Sequence, residues 1–241
     1  MLRNLACILT TVVWTTCLFF VSSVVLIITF NQEAALWVAR KLWSPVLLWV
    51  GGARLEIEGR ENVDPHRPTV YVSNHQSTID IPVLFTAIPV NLRFIAKSQL
   101  RWVPFLGWYM WLTRHIFIDR SNRQRALASL EKAARCIRSG ISVIAYAEGT
   151  RSRDGRVLPF KKGSFELALR AGAAVCPVTI EGSSHLMPKN SWKITPGKIR
   201  VRIGKPIAAA EFAELGRDGL AEHVRDIIIA QNLEMGGRGG G

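Results

Sequence analysis

Acidic residues are scarce in this chain, and it carries no cysteine or histidine cluster. Asp and Glu total 18 against 31 Lys and Arg, a formal net charge of +13 over 241 residues. So large an excess favours an anionic partner, whether nucleic acid, an acidic membrane surface or a phosphorylated small molecule, unless it is only a solvated surface. Nucleic acid finds no support in motifs: there is no C2H2 spacing, no aromatic-rich RNP-like strand and no basic block of five or more. The four cysteines, Cys7, Cys17, Cys136 and Cys176, show no metal-site spacing, and two lie in an apolar stretch. A disulfide framework is therefore not expected. The five histidines are scattered without an H-E-x-x-H, so no metal site is expected either. No G-x-S-x-G elbow is present, and no cysteine lies in a loop that reads as electropositive and exposed, which leaves no covalent nucleophile.

Charge is missing altogether between Asn4 and Gln32, a segment that contains LACILTTVVWTTCLFFVSSVVLIITF. As a helix, residues 5–30 would extend about 39 Å, longer than a hydrocarbon core of about 30 Å, so the segment can span a membrane with tilt. A cleavable signal peptide would have an apolar region of only about 7 to 15 residues, so an uncleaved anchor is expected. In residues 33–50 the polar residues Glu33, Arg40, Lys41 and Ser44 fall within an arc of about 100° on a helical wheel. Leu36, Trp43, Val46, Leu47 and Val50 lie mostly elsewhere. This predicts an amphipathic helix, bent or broken near Pro45, with Trp37, Trp43 and Trp49 suited to the headgroup layer. The same pattern also suits a helix packed on the soluble domain. The expected division is an anchor over residues 1–52, a globular domain over 53–232, and a flexible Gly-rich tail over 233–241.

Within the globular part, β-branched runs at 54–58, 69–72, 92–96, 116–118, 142–145, 175–180 and 199–203 alternate with helical patterns. Residues 123–139 form the strongest helical pattern and stop at Gly140; a shorter one covers 164–170, and 209–232 reads as a closing pair of helices. Such alternation predicts an α/β sandwich with a largely parallel or mixed sheet. In these folds ligands gather where loops leave the carboxyl ends of strands. Four polar clusters occupy such places: residues 74–80, 119–120, 148–152 and 181–185.

The first cluster, SNHQSTID, places His75 five residues before Asp80. Ser77 reads as a helix N-cap with Asp80 three residues on, and Pro82 is tolerated in the first turn. Helical side chains lean toward the N-terminus, so Asp80 would point back at the loop holding His75. A carboxylate there can fix the imidazole tautomer and leave the other ring nitrogen as a base; alternatively Asp80 is only a charge at a helix start. Without a covalent nucleophile, a His–Asp pair suits direct transfer, in which the base deprotonates a bound hydroxyl that then attacks an acyl group. In the third cluster, YAEGTRS, Gly149 permits a tight turn and Arg151 offers a planar fork suited to phosphate, with Arg153, Arg156, Lys161 and Lys162 close behind.

Taken together, these residues resemble the 1-acyl-sn-glycerol-3-phosphate acyltransferase family. Its N-H-x-x-x-x-D motif is matched by Asn74, His75 and Asp80, and its G-x-I-F-I-D-R by residues 116–120. Its F-P-E-G-T-R-S is matched by residues 148–152, and its V-P-V-x-I by 176–180. Arg114 stands where that family's second motif opens on glycine, Ala147 where the third has proline, and Cys176 where the fourth has valine. The resemblance implies a glycerolipid acyltransferase-like α/β sandwich with a mixed sheet behind an N-terminal membrane-anchoring helical segment. It implies acyl transfer from acyl-CoA or acyl carrier protein to the free hydroxyl of lysophosphatidic acid (1-acyl-glycerol-3-phosphate), with His75 and Asp80 catalytic. Asn74, Arg120, Glu148, Gly149, Thr150 and Arg151 would bind substrate, and Lys97 and Lys161 are further phosphate candidates. Backbone amides at the start of the helix after His75 would hold the oxyanion. No cofactor or metal is implied; the partners are membrane lipids and the acyl donor, with the catalytic domain on the cytoplasmic face. Another lyso-lipid acceptor, a lipid hydrolase, and a non-catalytic lipid-binding protein are the alternatives.

Overall fold

The computed structural model describes residues 2–119, 122–212 and 214–241. Helix α1 (Leu2–Thr29) is the apolar run, and among the described residues it is the one helix long and apolar enough to cross a membrane. The chain turns at Asn31, whose side chain caps α2 (Gln32–Val38) by accepting from the Glu33 and Ala34 amides. A π-helical turn (Ala39–Trp43) joins α2 to α3 (Ser44–Gly51). The bend expected at Pro45 thus takes the form of a widened turn just before it. Proline has no N–H, and its ring crowds the carbonyl four residues back, so the ladder shifts there to i→i+5 spacing. The Ser44 hydroxyl donates to the Ala39 carbonyl inside that turn at 2.9 Å.

Helices α2 and α3 fold back along α1. Ser22 Oγ donates to Ala35 O at 2.9 Å, Trp14 Nε1 to Leu42 O at 3.2 Å, and Cys7 Sγ to Val50 O at 3.3 Å. On their other side Leu36 and Leu48 are buried in the core of the globular domain, while Trp37 and Trp49 stay exposed. The amphipathic segment is therefore sandwiched between α1 and the domain. Two further ties fix it there. Glu33 pairs with the buried Arg93, and Arg40 Nη1 donates to Pro89 O at 2.8 Å.

The domain is built on a seven-stranded sheet of β1 (Ala53–Glu58), β2 (Thr69–Ser73), β3 (Arg93–Lys97), β4 (Ile116–Ile118), β5 (Val143–Tyr146), β6 (Ala174–Glu181) and β7 (Gly197–Ile203). Its order is β1-β7-β6-β2-β5-β3-β4, with all neighbours parallel except β6 and β7. These strands lie within two residues of the sequence expectation and make the sheet mixed. On one face pack α2, α3 and α4 (Asp80–Ala87) against Tyr71, Ile144, Val178 and Ile180. The other face, with Val70, Val72, Val143 and Val175, is covered by α6 (Arg123–Arg138), α7 (Gly163–Ala171) and α10 (Gly216–Glu234). The shorter α5 (Leu106–Leu112), α8 (Ser183–Leu186) and α9 (Ala209–Phe212) sit in connections. Alternate residues of each strand feed the two cores, as the period of two requires.

The glycine-rich C-terminus is pinned rather than free. Val157 N donates to Gly239 O at 2.8 Å, Gly241 N to Val157 O at 3.2 Å, and Gly239 N to the buried Asn232 Oδ1 at 2.9 Å. Composition suggested a flexible tail. The glycines instead allow the backbone to approach Val157 closely enough to form a short bridge.

Candidate active site

Strands β2, β5, β3 and β4 are mutually parallel, so their carboxyl ends, and the loops that follow, share one edge of the sheet. The loop after β2 carries His75. Its Nδ1 lies 2.8 Å from Asp80 Oδ2, and the same oxygen accepts from the Gln76 amide at 2.7 Å and the Ser77 amide at 2.9 Å. Asp80 is fully buried at the first residue of α4, and its side chain leans back over the loop as helical geometry requires. The carboxylate accepts from Nδ1–H, which sets the tautomer and leaves Nε2 with its lone pair. The Tyr146 ring stacks flat on the imidazole, with centroids 3.7 Å apart and planes 10° apart.

One local expectation needs correction. Ser77 is not the N-cap: α4 starts at Asp80 behind Ile79, and the Ser77 hydroxyl donates instead to Met187 O at 2.6 Å. The helix has no side-chain cap, and the Asp80 carboxylate instead gathers the amides of the loop before it. The Gln76 and Ser77 amides, which lie ahead of the helix, are therefore held by Asp80.

The loop after β5 supports the first from below. Glu148 is almost fully buried, and its Oε1 accepts from the His75 amide at 3.1 Å. Burial pushes this carboxyl up to about 8, with the charge of Asp80 acting in the same direction against the pull of the His75 amide. Burial thus favours the protonated form of Glu148 well above the usual carboxylate range. Ser152 N donates to His75 O at 2.7 Å, so both backbone polar groups of His75 are held by this second loop. Gly149 adopts φ 68°, and a Cβ there would meet the Lys161 side chain at 3.0–3.1 Å. Glycine is favoured by the left-handed turn, and a Cβ would only press the flexible end of Lys161 aside. Ala147, where the resemblance has proline, donates its N–H to Ser73 O at 3.2 Å and accepts from Lys161 N at 2.7 Å. A proline could not make the first of these bonds, so the loop entry is tied here by a hydrogen bond.

Of the other predicted residues, Asn74 does not face a ligand. It is buried, with Nδ2 donating to Ile180 O and Oδ1 accepting from Ile180 N, both at 2.8 Å, and so staples β2 to β6. Arg151 reaches across to the first loop, donating from Nη1 to Thr78 Oγ1 at 2.6 Å. Thr150 is exposed beside it. Lys97 ends β3 with an exposed side chain, level with Ile118 at the end of β4. Asp119 follows β4 and lies 3.8 Å from Arg125. Arg120 falls outside the described residues. Cys176 is wholly buried, and burial pushes its thiol up to about 12, consistent with a small hydrophobe. Among the described residues no group of three or more potential metal ligands comes together.

Three neighbours of the site escaped sequence reasoning. Tyr146 opens the YAEGTRS cluster, just past the expected strand, without a role being drawn for it, although its place two residues before Glu148, on the side of the sheet that faces α4, was a usable signal. Thr78 lies inside the first cluster, but nothing in that stretch assigns it a part. Lys189 donates to Arg151 O at 2.5 Å and to Thr150 Oγ1 at 3.2 Å from a connection remote in sequence, and no local pattern points to it.

Comparison with known proteins finds relatives over most of the chain. Residues 54–181 match the family model described as Acyltransferase. The 1-acyl-sn-glycerol-3-phosphate acyltransferase of Saccharomyces cerevisiae is 32% identical over 90% of this chain and 72% of its own length. That of Limnanthes douglasii is 34% identical over 76% of this chain, which spans 65% of the plant protein. The human 1-acyl-sn-glycerol-3-phosphate acyltransferase alpha is 32% identical over 79% of this chain and 68% of its own. Among solved structures, the crystal structure of the 1-acyl-sn-glycerophosphate acyltransferase PlsC from Thermotoga maritima superposes with a TM-score of 0.85 at 31% identity, covering 98% of both chains.

Proposed function

Because this chain belongs to the 1-acyl-sn-glycerol-3-phosphate acyltransferase family, we propose that it transfers a fatty acyl group from a thioester donor, acyl-CoA or acyl carrier protein, to the free hydroxyl of 1-acylglycerol-3-phosphate. The products are phosphatidic acid and the free thiol. The observation that carries the mechanism is the His75–Asp80 contact of 2.8 Å, made on a carboxylate oxygen that also holds two loop amides.

In this reading His75 Nε2 removes the proton of the acceptor hydroxyl as its oxygen attacks the thioester carbonyl. The imidazolium that forms is stabilised by Asp80 at Nδ1–H and by the face of Tyr146. Collapse of the tetrahedral intermediate breaks the carbon–sulfur bond, and Nε2–H returns the proton to the departing thiolate. Every proton and electron pair is accounted for without a covalent enzyme intermediate. Arg151, Lys161 and Lys189 supply positive charge for the acceptor phosphate, with Arg120 and Lys97 as further candidates. Glu148 serves the site from beneath, by holding the His75 backbone, and Gly149 by shaping the turn.

The long apolar α1 suits an enzyme whose acceptor and product are membrane lipids. The catalytic face would be cytoplasmic, where acyl thioesters are found. The test is turnover of labelled acyl-CoA by purified protein on a panel of lysolipids. Lysophosphatidate should be the preferred acceptor; preference for one without the phosphomonoester would overturn the assignment, and free fatty acid as sole product would mark a hydrolase.

A further inference from the structure

The connection between β3 and β4 has a composition that neither the sheet nor the catalytic loops require. From Asn91 to Ile118 it contains no Asp or Glu, while RWVPFLGWYMW fills residues 101–111. Apart from the buried Met110, the large apolar side chains there point outward. Trp102 is 80% exposed, Trp111 55%, Trp108 51% and Phe105 48%, and Val103 and Leu106 are exposed beside them. A contiguous apolar patch of this size on a soluble face marks an interaction surface.

The patch is also built. A 3-10 turn (Ser98–Trp102) is clasped by the first turn of α5, where Gly107 comes so close that a Cβ would meet the Arg101 and Leu100 carbonyls at 2.4 Å. Gly107 N donates to Val103 O at 2.7 Å, and the Arg101 guanidinium lies 5.7 Å from the Trp111 ring centroid. Outward aromatics are thus held on a tight scaffold.

What covers the patch follows from its neighbour. Phe105 packs edge-on against Phe19 and Phe20 of α1, with centroids 5.3 and 6.4 Å apart, and the Tyr109 hydroxyl donates to Ala35 O at 3.1 Å. The exposed face of α1, which includes Val13, Phe20 and Val24, therefore runs on into the exposed face of residues 102–111. Around the patch the exposed charges of the connection are Lys97, Arg101 and Arg114, all positive. Tryptophan beside lysine and arginine is the composition that favours the headgroup layer of an anionic membrane.

We propose that residues 98–112 form a second membrane-inserting element, an aromatic wedge that enters the same lipid bilayer as α1. The wedge starts at the carboxyl end of β3, the edge of the sheet where the His75 loop lies, and turns that edge toward the membrane surface. The proposal rests on α1 being in the membrane.

Two experiments test it. Vesicles of phosphatidylcholine and phosphatidylglycerol with brominated acyl chains quench tryptophans that enter them. In full-length chains with every other tryptophan replaced by phenylalanine, single tryptophans are placed at 102, at 108, at Val13→Trp on α1 and at Leu127→Trp on α6. Quenching at 102, 108 and 13 but not at 127 is expected. Quenching at 13 alone overturns the wedge and leaves the anchor standing; its absence at 13 overturns the anchor and the wedge with it. As a second readout, the double variant Trp102→Glu, Trp108→Glu should lose about tenfold in turnover of lysophosphatidate presented in vesicles, yet stay within about twofold in detergent micelles. Equal losses in both settings overturn the proposal, as does a change of oligomeric state in detergent, which would give the face to a second copy of the chain.

Discussion

The loops after β2 and β5 leave neighbouring strands at the same edge of the sheet, yet they are built in opposite ways. In the first, polar groups are consumed internally: Asp80 Oδ2 takes three donors, Asn74 spends both ends on Ile180, and the His75 backbone is held at N–H and C=O. In the second, Arg151 and Lys161, joined by Lys189, carry positive charge, and among the described residues none of the three forms an ion pair with a carboxylate. The other basic side chains nearby are often neutralised, as Lys162 is by Asp218 at 2.5 Å. The difference teaches a division of labour. A catalytic base needs its orientation settled before substrate arrives, whereas a phosphate site needs charge still unpaired.

The largest effect should come from breaking the settled half. His75→Ala should lower kcat by at least about 10³-fold, while the thermal transition and vesicle association stay near wild type. Turnover within tenfold of wild type would remove His75 as the base. Asp80→Asn keeps the shape but loses the charge facing Nδ1, and should cost about 10²-fold or more in kcat with little change in acceptor KM. Breaking the open half should look different. Arg151→Ala should raise the acceptor KM about 10- to 100-fold and change kcat less than about threefold, with Arg151→Lys recovering part of the loss. If Arg151→Ala instead acts on kcat alone, the two loops do not divide the work in this way.

The same contrast explains what the sequence could and could not reveal. Strands were legible because β-branched runs alternate with helical patterns, and the His75–Asp80 contact because a helix start leans its side chains backward over five residues. Asn74 misled because it sits inside the motif, whereas its partner Ile180 is 106 residues away and appears only when β6 pairs with β2. Glu148 misled for a related reason: a carboxylate next to Gly149 and Arg151 reads as a ligand-facing group until burial shows it under the loop. Lys189 was invisible because the connection after α8 that brings it to Arg151 carries no periodicity.

A smaller and pH-dependent effect isolates Glu148. Its carboxyl is raised from 4.5 to about 8 in the folded protein, so between those values the folded state binds more protons than the unfolded one. Stability therefore falls as pH rises through that window. Glu148→Gln keeps a carbonyl oxygen for the His75 amide and cannot ionise. Its Tm should match wild type near pH 5 and exceed it increasingly toward pH 8, measured in one detergent at constant ionic strength. Parallel Tm curves for the two proteins would show that Glu148 is ionised in the fold and serves the site as a charge.

The smallest expected effect lies at Arg114, where a third loop touches the comparison. Helix α5 ends in a Schellman arrangement: the His115 amide donates to Met110 O at 2.7 Å and the Arg114 amide to Trp111 O at 3.1 Å. Arg114 occupies the left-handed position of this motif with φ 60°, where a Cβ is a cost and glycine is preferred. Arg114→Gly should therefore stabilise the protein by about 0.5–1 kcal/mol in urea unfolding, less the greater chain entropy of glycine, whereas Arg114→Ala should give no gain. The acceptor KM of the same variant then decides a second point. If it is unchanged, the strain at Arg114 is unrelated to substrate and the cationic set belongs to the β5 loop and Lys189. A severalfold rise would mean that the chain accepts a strained turn in order to place one more positive charge toward the lipid phosphate.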